Sequence, residues 1–219
     1  EIEGLFRLRY TTSHPLDMDE ELISAHGDVP QLMPYLHLPI QSGSNRILAA
    51  MNRRHTSDVY LAVIDKLRAF RPDIAMSGDF IVGFPSETDH DFAETLQLVN
   101  QVGYASAYSF KYSPRPGTPA ATSEDQVADE VKAERLERLQ QLLNAQQFAF
   151  NQATEGQVVD ILVERIGGRA GQMSGRSPYM QSVNFIGDVS QIGQIATCKL
   201  TAARRNSMTG DILAIKGAA

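Results

Sequence analysis

The sequence has one cysteine, Cys198, and no tryptophan. A lone thiol closes no disulfide, and it cannot supply the several thiolates that an iron-sulfur cluster or a structural zinc site draws from a chain. No apolar run approaches the roughly eighteen residues of a membrane-spanning helix, and the opening EIEGLFRLRY lacks the basic-then-apolar order of a secretory signal. No membrane association and a cytoplasmic location are therefore expected. Positive charge is scarce too: 20 Lys and Arg stand against 26 Asp and Glu, for a net charge of -6. That balance argues against a surface built throughout to hold nucleic acid. Internal repeats and low-complexity stretches are absent.

What is present suits a globular protein of one large or two unequal domains, with 42% hydrophobic residues in a chain of 219. The charge is unevenly placed. Residues 155–219 hold 7 basic and 5 acidic side chains, whereas the longer stretch before them is strongly acidic, so the tail is the better candidate for RNA.

The chain is organised around SGDFIVGFPSET, residues 77–88. Phe80, Ile81 and Val82 form a short apolar run suited to a buried parallel strand, broken at once by Gly83 and Pro85. Thr88 and Asp91 then have the spacing of a helix cap, so the segment reads strand, glycine turn, helix. Similar units are expected on either side. An alternating strand at Phe6, Leu8 and Tyr10 precedes a helix over about Asp17–His26. YLHLPI, residues 35–40, leads into a loop whose Ser44 caps a short helix. Ser57 caps another with Val59, Val63, Leu67 and Phe70 inward. A helix carrying Phe92, Leu96 and Val99 runs to Gly103, and Tyr108, Phe110 and Tyr112 mark a further strand. About four strand-helix units result, as in a (β/α) barrel or an open parallel sheet, with their loops on one face. A charged helix from Glu124 to about Asn151 connects these to short β-like runs beyond Gly156. The expected fold is thus α/β, a partial barrel over residues 1–123, a connecting helix over 124–155 and a small all-β barrel over 156–219.

Several groups could carry chemistry. Gln41, Ser42 and Ser44 offer neutral donors and acceptors at a strand end, and Arg53 follows across a short helix. A zwitterionic nucleoside needs both kinds of group, amides and hydroxyls for ribose and base edges and a guanidinium for a carboxylate. The plainer reading is a capped helix with a solvated arginine pair. Ile81 either packs in the core or lies under an adenine ring, Gly83 either supplies φ > 0 or admits a ligand, and Asp79 needs a partner if buried. Ser13 beside His14 raises a nucleophile pair, but neighbours on extended backbone diverge, so a structural or ligand-lining histidine is the better reading. His37 is either an inward polar residue or a satisfied core histidine. No His or Glu spacing matches a zinc site. Lys111 and Arg115 flank Tyr112 as single-stranded RNA binding requires, and Arg176, Arg204 and Arg205 sit on the β module; surface solubilisation accounts for each arginine equally well.

Taken in order, TTSHP, HLPIQSGS, MNRRHT, SGDFIVGFPSET and FKYSPRPGTPA resemble the radical S-adenosylmethionine (SAM) methylthiotransferases, specifically the tRNA branch (MiaB type), and the β module resembles their TRAM domain. The resemblance implies a partial (β/α) barrel holding SAM on a [4Fe-4S] cluster, with a second [4Fe-4S] cluster taking part in sulfur delivery. A 5'-deoxyadenosyl radical would abstract hydrogen from C2 of N6-isopentenyladenosine 37 in the tRNA anticodon loop, and a reducing partner and a sulfur source would be needed. It implies Gln41 near the SAM ribose, with Ser42 and Ser44 beside it, Arg53 on the methionine carboxylate, Ile81 and Gly83 along the adenine, and Arg176, Arg204 and Arg205 on tRNA. The family's C-x3-C-x2-C motif is missing. The chain is therefore expected to be a C-terminal portion that is inactive alone and binds no cofactor firmly. The rival readings are a ribosomal-protein aspartate methylthiotransferase and a non-catalytic RNA-binding module.

Overall fold

The computed structural model describes residues 2–12 and 14–218, which fall into two compact units. One comprises Tyr10–Gly27 and Leu36–Gln146; the other comprises the segment up to Arg9, Asp28–Tyr35 and the chain from Gln147 onward.

The first unit is built on a parallel sheet in the order β1-β2-β3, from β1 (Tyr35–His37), β2 (Ala75–Val82) and β3 (Ser106–Lys111). Its helices are α1 (Glu20–Asp28), α2 (Asn45–Ala50), α3 (Ser57–Phe70), α4 (Asp89–Val102) and the first part of α5 (Asp129–Ala153). Alternation on β2 sorts the side chains: Phe80 and Val82 are fully buried, while Asp79 and Ile81 lie half-buried on the opposite face. Helices cover the first face, where Leu36, Leu38, Ile64, Phe92, Val99 and Leu139 join one core. At its centre Tyr60 and Tyr104 are fully buried with hydroxyls 2.8 Å apart, and the Tyr60 hydroxyl donates to the Leu38 carbonyl.

The expected strand at Phe6–Tyr10 does not form. Leu8 and Thr11 make only isolated bridges, so the sheet has three strands where about four units were expected. Helix α3 is capped by Thr56, not Ser57, and its inward stripe is Tyr60, Ile64 and Leu67, leaving Val59 and Phe70 exposed. Ser44 occupies the N-cap position of α2 without making a cap hydrogen bond.

In the second unit, β4 (Val158–Ile166), β5 (Gln172–Arg176), β6 (Ser182–Ile186), β7 (Gln194–Ala203) and β8 (Met208–Ala218) close into a barrel ordered β4-β5-β6-β8-β7. Ile161, Val163, Phe185, Cys198, Leu200 and Met208 fill it. Strand β5, QMSGR, lies in a glycine-rich stretch that reads as turn. Buried Gln181 donates to Asn151 and Thr154 at the end of α5 and accepts from the Ser177 hydroxyl, while Asn151 donates to the Arg204 carbonyl. This polar clip ties two arginine-bearing loops to one helix end. Arg7 reaches the carbonyls of Arg176 and Asp160, and burial lowers its pKa to about 10.

Candidate functional site

Gln41 lies just past β1, with φ at 82°. Its N–H donates to the Asp79 carbonyl and its own carbonyl accepts from Ile81, so the pairing with β2 pins a residue in a conformation unusual for a side chain larger than glycine. Helix α2 then ends on Asn52, with φ at 58°, and the Arg53 N–H reaches back to the Leu48 carbonyl at 2.8 Å. That closure satisfies the last carbonyls of the helix and turns the chain at Arg53.

These two residues, with Asp79 and Ile81 of β2 and Phe110 and Lys111 of β3, line a cavity of about 850 Å³ at the C-terminal ends of the strands. Phe84, Tyr112 and Arg115 complete much of its wall. Among the described residues Asp79 is the single carboxylate in the lining, and Arg53, Lys111 and Arg115 are its cations. Apolar surface comes from Ile81, Phe84 and Phe110, with Phe84 meeting Tyr112 edge to face at 5.1 Å. The Tyr112 hydroxyl is buried with no hydrogen-bond partner among the described residues, which suits a site completed by a ligand.

Asp79 finds the partner that its place in an apolar strand demands. His37 Nε2 lies 3.3 Å from Asp79 Oδ2, and His37 Nδ1 lies 3.0 Å from the buried Ser77 hydroxyl. The periodicity that marks a half-buried strand face carries Asp79 into this cavity beside Ile81, yet composition alone gives no sign of it.

Other expected site residues lie elsewhere. Ser42 is fully buried and pairs with Thr95 of α4 at 3.3 Å. Ser44 donates to Asp91 Oδ1 at 2.7 Å. A Cβ on the intervening Gly43 would sit 2.6 Å from α4 backbone, so this loop is packed against the helix. Burial opposes ionisation of Asp91, but hydrogen bonds from Arg46, Thr88 and Ser44 outweigh it and hold the carboxyl well below the usual range. Gly83 has φ at 71°, and a Cβ there would meet Lys132 Cγ of α5 at 2.3 Å. Its N–H donates to Glu87, whose buried carboxylate is bound at 2.8 Å by Arg135. None of Ser42, Ser44 and Gly83 lines the cavity.

On the barrel, Arg204 and Arg205 are exposed at the turn between β7 and β8, and Arg176 is half-buried, 3.4 Å from Glu164. The Ser13–His14 pair falls partly on Ser13, which lies outside the described residues; the ring of His14 meets His55, Nε2 to Nδ1, at 3.1 Å. Among the described residues no cluster of three or more His, Cys, Asp or Glu could hold a metal, and no helix is long and apolar enough to cross a membrane. Cys198 is buried in the barrel, where burial pushes its thiol up to about 11. The donor set of this chain therefore does not fit a [4Fe-4S] cluster, whereas the cavity's mix of cations, one carboxylate and apolar planes fits a nucleoside bearing an amino acid.

Residues 1–99 match the Radical SAM superfamily, and residues 152–213 match the TRAM domain. Among solved structures, coproporphyrinogen III oxidase from Escherichia coli, described as a radical SAM enzyme, is similar with a TM-score of 0.51 and 15% identity over 85% of this chain. The chain spans 45% of that enzyme's length, and a likeness at this identity concerns the fold alone. The chain thus joins an α/β segment that matches the Radical SAM superfamily to a closed five-stranded barrel that matches the TRAM domain.

Proposed function

We propose that this chain is the SAM-binding and RNA-binding part of a cytoplasmic tRNA methylthiotransferase, which places a methylthio group on C2 of N6-isopentenyladenosine 37. The observation that carries the reading is the convergence of Gln41, Arg53, Asp79 and Ile81, from three separate stretches of chain, on one cavity. In this reading the Arg53 guanidinium forks onto the methionine carboxylate, Ile81 lies against adenine, and Gln41 and Asp79 take the ribose hydroxyls between them. Along β2 the same-face neighbours Asp79 and Ile81 are about 7 Å apart, close to the span from a ribose diol to the centre of its base. SAM, when bound, would supply radical chemistry able to break an aromatic C–H bond. The thiolates of the two [4Fe-4S] clusters in this reading, the reductant and the sulfur source would have to come from outside this sequence, since Cys198 is its only thiol.

An RNA substrate is supported by the cations at the cavity wall, Lys111 and Arg115, and by the TRAM domain. Lys111 and Arg115 would hold the nucleotides that flank the reacting base, while Arg176, Arg204 and Arg205 would take phosphates of the RNA. The test is to give the intact, reconstituted enzyme a reductant, a sulfur source and an anticodon stem-loop bearing N6-isopentenyladenosine, and to analyse the nucleosides by mass spectrometry. Appearance of the 2-methylthio nucleoside is expected. Modification of a ribosomal-protein aspartate instead would overturn the substrate, and RNA binding without any affinity for SAM would overturn the enzymatic reading.

A further inference from the structure

Both ring nitrogens of His37 are engaged by residues of the neighbouring strand that stand two apart on one face, Ser77 and Asp79. The ring cannot flip without losing both contacts. Its backbone is fixed as well, because the Thr12 hydroxyl and N–H both donate to the His37 carbonyl. A carboxylate accepts, so Nε2 is the ring nitrogen placed to donate to Asp79, and a neutral ring then leaves Nδ1 to accept from the Ser77 hydroxyl. This bond occupies Asp79 Oδ2, and no described residue is hydrogen-bonded to Oδ1.

We propose that His37 is a positioning residue for the cavity, holding the Asp79 carboxylate so that Oδ1 faces a ligand's vicinal hydroxyls, and that the buried Ser77 hydroxyl fixes the histidine tautomer required. The proposal rests on the nucleoside reading of the cavity. It adds that discrimination for a ribose diol is set by a side chain that does not itself line the cavity. A rotationally free aspartate would spend its time bonded to water. One oxygen tied to an imidazole N–H leaves the other preorganised, and a hydrogen bond to a charged, oriented acceptor is worth about tenfold or more in affinity.

The experiment uses the full chain and two probes, adenosine and 2',3'-dideoxyadenosine, with dissociation constants read by NMR titration. The wild-type chain is expected to prefer adenosine by about tenfold or more. Asp79→Asn and His37→Ala should both reduce that preference to near unity while leaving the dideoxy probe's affinity in place. His37→Gln, whose amide nitrogen reaches the Nε2 position, should restore most of it; His37→Asn, whose amide nitrogen mimics Nδ1, should not. In the same samples the ring nitrogen-15 shifts of His37 should report the Nε2–H tautomer, and Ser77→Ala should shift the tautomer balance. If Asp79→Asn abolishes the preference but His37→Ala keeps it, or if the ring is in the Nδ1–H form, the positioning role is overturned and the cavity reading stands. If the wild-type chain binds neither probe, or does not distinguish them, the cavity reading itself fails and takes this role with it. Equal loss of both probes in every His37 variant marks a merely structural residue and also overturns the proposal.

Discussion

Replacing Gly83 by alanine separates a packing role from a ligand-contact role at the end of β2. Two costs arise independently. At φ of 71° a Cβ strains the backbone, worth about 1–2 kcal/mol for an L-residue. The same Cβ would sit 2.3 Å from Lys132 Cγ, which must move although the Lys132 side chain is buried, adding overpacking of about 1–3 kcal/mol. The sum, about 2–5 kcal/mol, is a large share of the stability of an ordinary domain. Urea unfolding followed by tyrosine fluorescence measures the loss, and a double-mutant cycle divides it. In a Lys132→Ala background the clash is relieved, and Gly83→Ala should cost only the backbone part, giving a coupling of about 1–3 kcal/mol. If Gly83→Ala leaves the unfolding midpoint unchanged while weakening adenosine binding, Gly83 serves the ligand directly and the packing argument is wrong.

Four further outcomes are expected. Burial, seconded by Arg71 at His26 and by His14 at His55, lowers both histidines to about 4 from an ordinary 6.5. Each therefore contributes stability that is full above pH 6.5 and is lost as pH falls towards about 4, at most about 3 kcal/mol apiece, and His26→Gln should flatten that limb of the stability-pH curve. Asp91 acts in the next window down. Its depressed carboxyl contributes above the ordinary carboxylate pKa and loses that contribution in stronger acid, so Asp91→Asn should cost about 2 kcal/mol at neutral pH and converge with wild type on acidification. Arg53→Ala should weaken S-adenosylhomocysteine about tenfold or more yet leave adenosine unchanged, since only the first carries a carboxylate; calorimetry with both probes decides it. Finally, Arg204→Ala and Arg205→Ala together should lower the salt slope of stem-loop binding by about two, without changing sequence preference.

How much of this could be read from the letters depended on whether the signal was local. The turn at 83–88 and the reciprocal cap of Thr88 and Asp91 are local and appear as expected. The inward face of α3 lies one residue on from the valine stripe that the spacing predicts. Valines suggested the stripe, but Tyr60 supplies the buried surface and satisfies its hydroxyl on Leu38, a contact that exists only after folding. Strand β5 carries no strand pattern because Gly175 has to stay small, since a Cβ there would run into the Leu162 carbonyl of β4. The candidate site divides in the same way. Gln41, Arg53 and Ile81 share a cavity, while Ser42, Ser44 and Gly83 are engaged by α4 and α5, helices whose approach no spacing within the loops reveals. Of Asp79 the sequence says only that it needs a partner if buried, and that partner, His37, is on another strand.

The burial of Cys198 makes the barrel easy to watch. Because the chain has a single sulfhydryl, sealed among Val183, Gly210 and the other interior groups, an alkylating reagent should find nothing to label while the five strands stay shut. Timed labelling then counts opening events of this module alone, free of signal from the sheet unit, and adding a stem-loop to the sample shows at once whether RNA slows them.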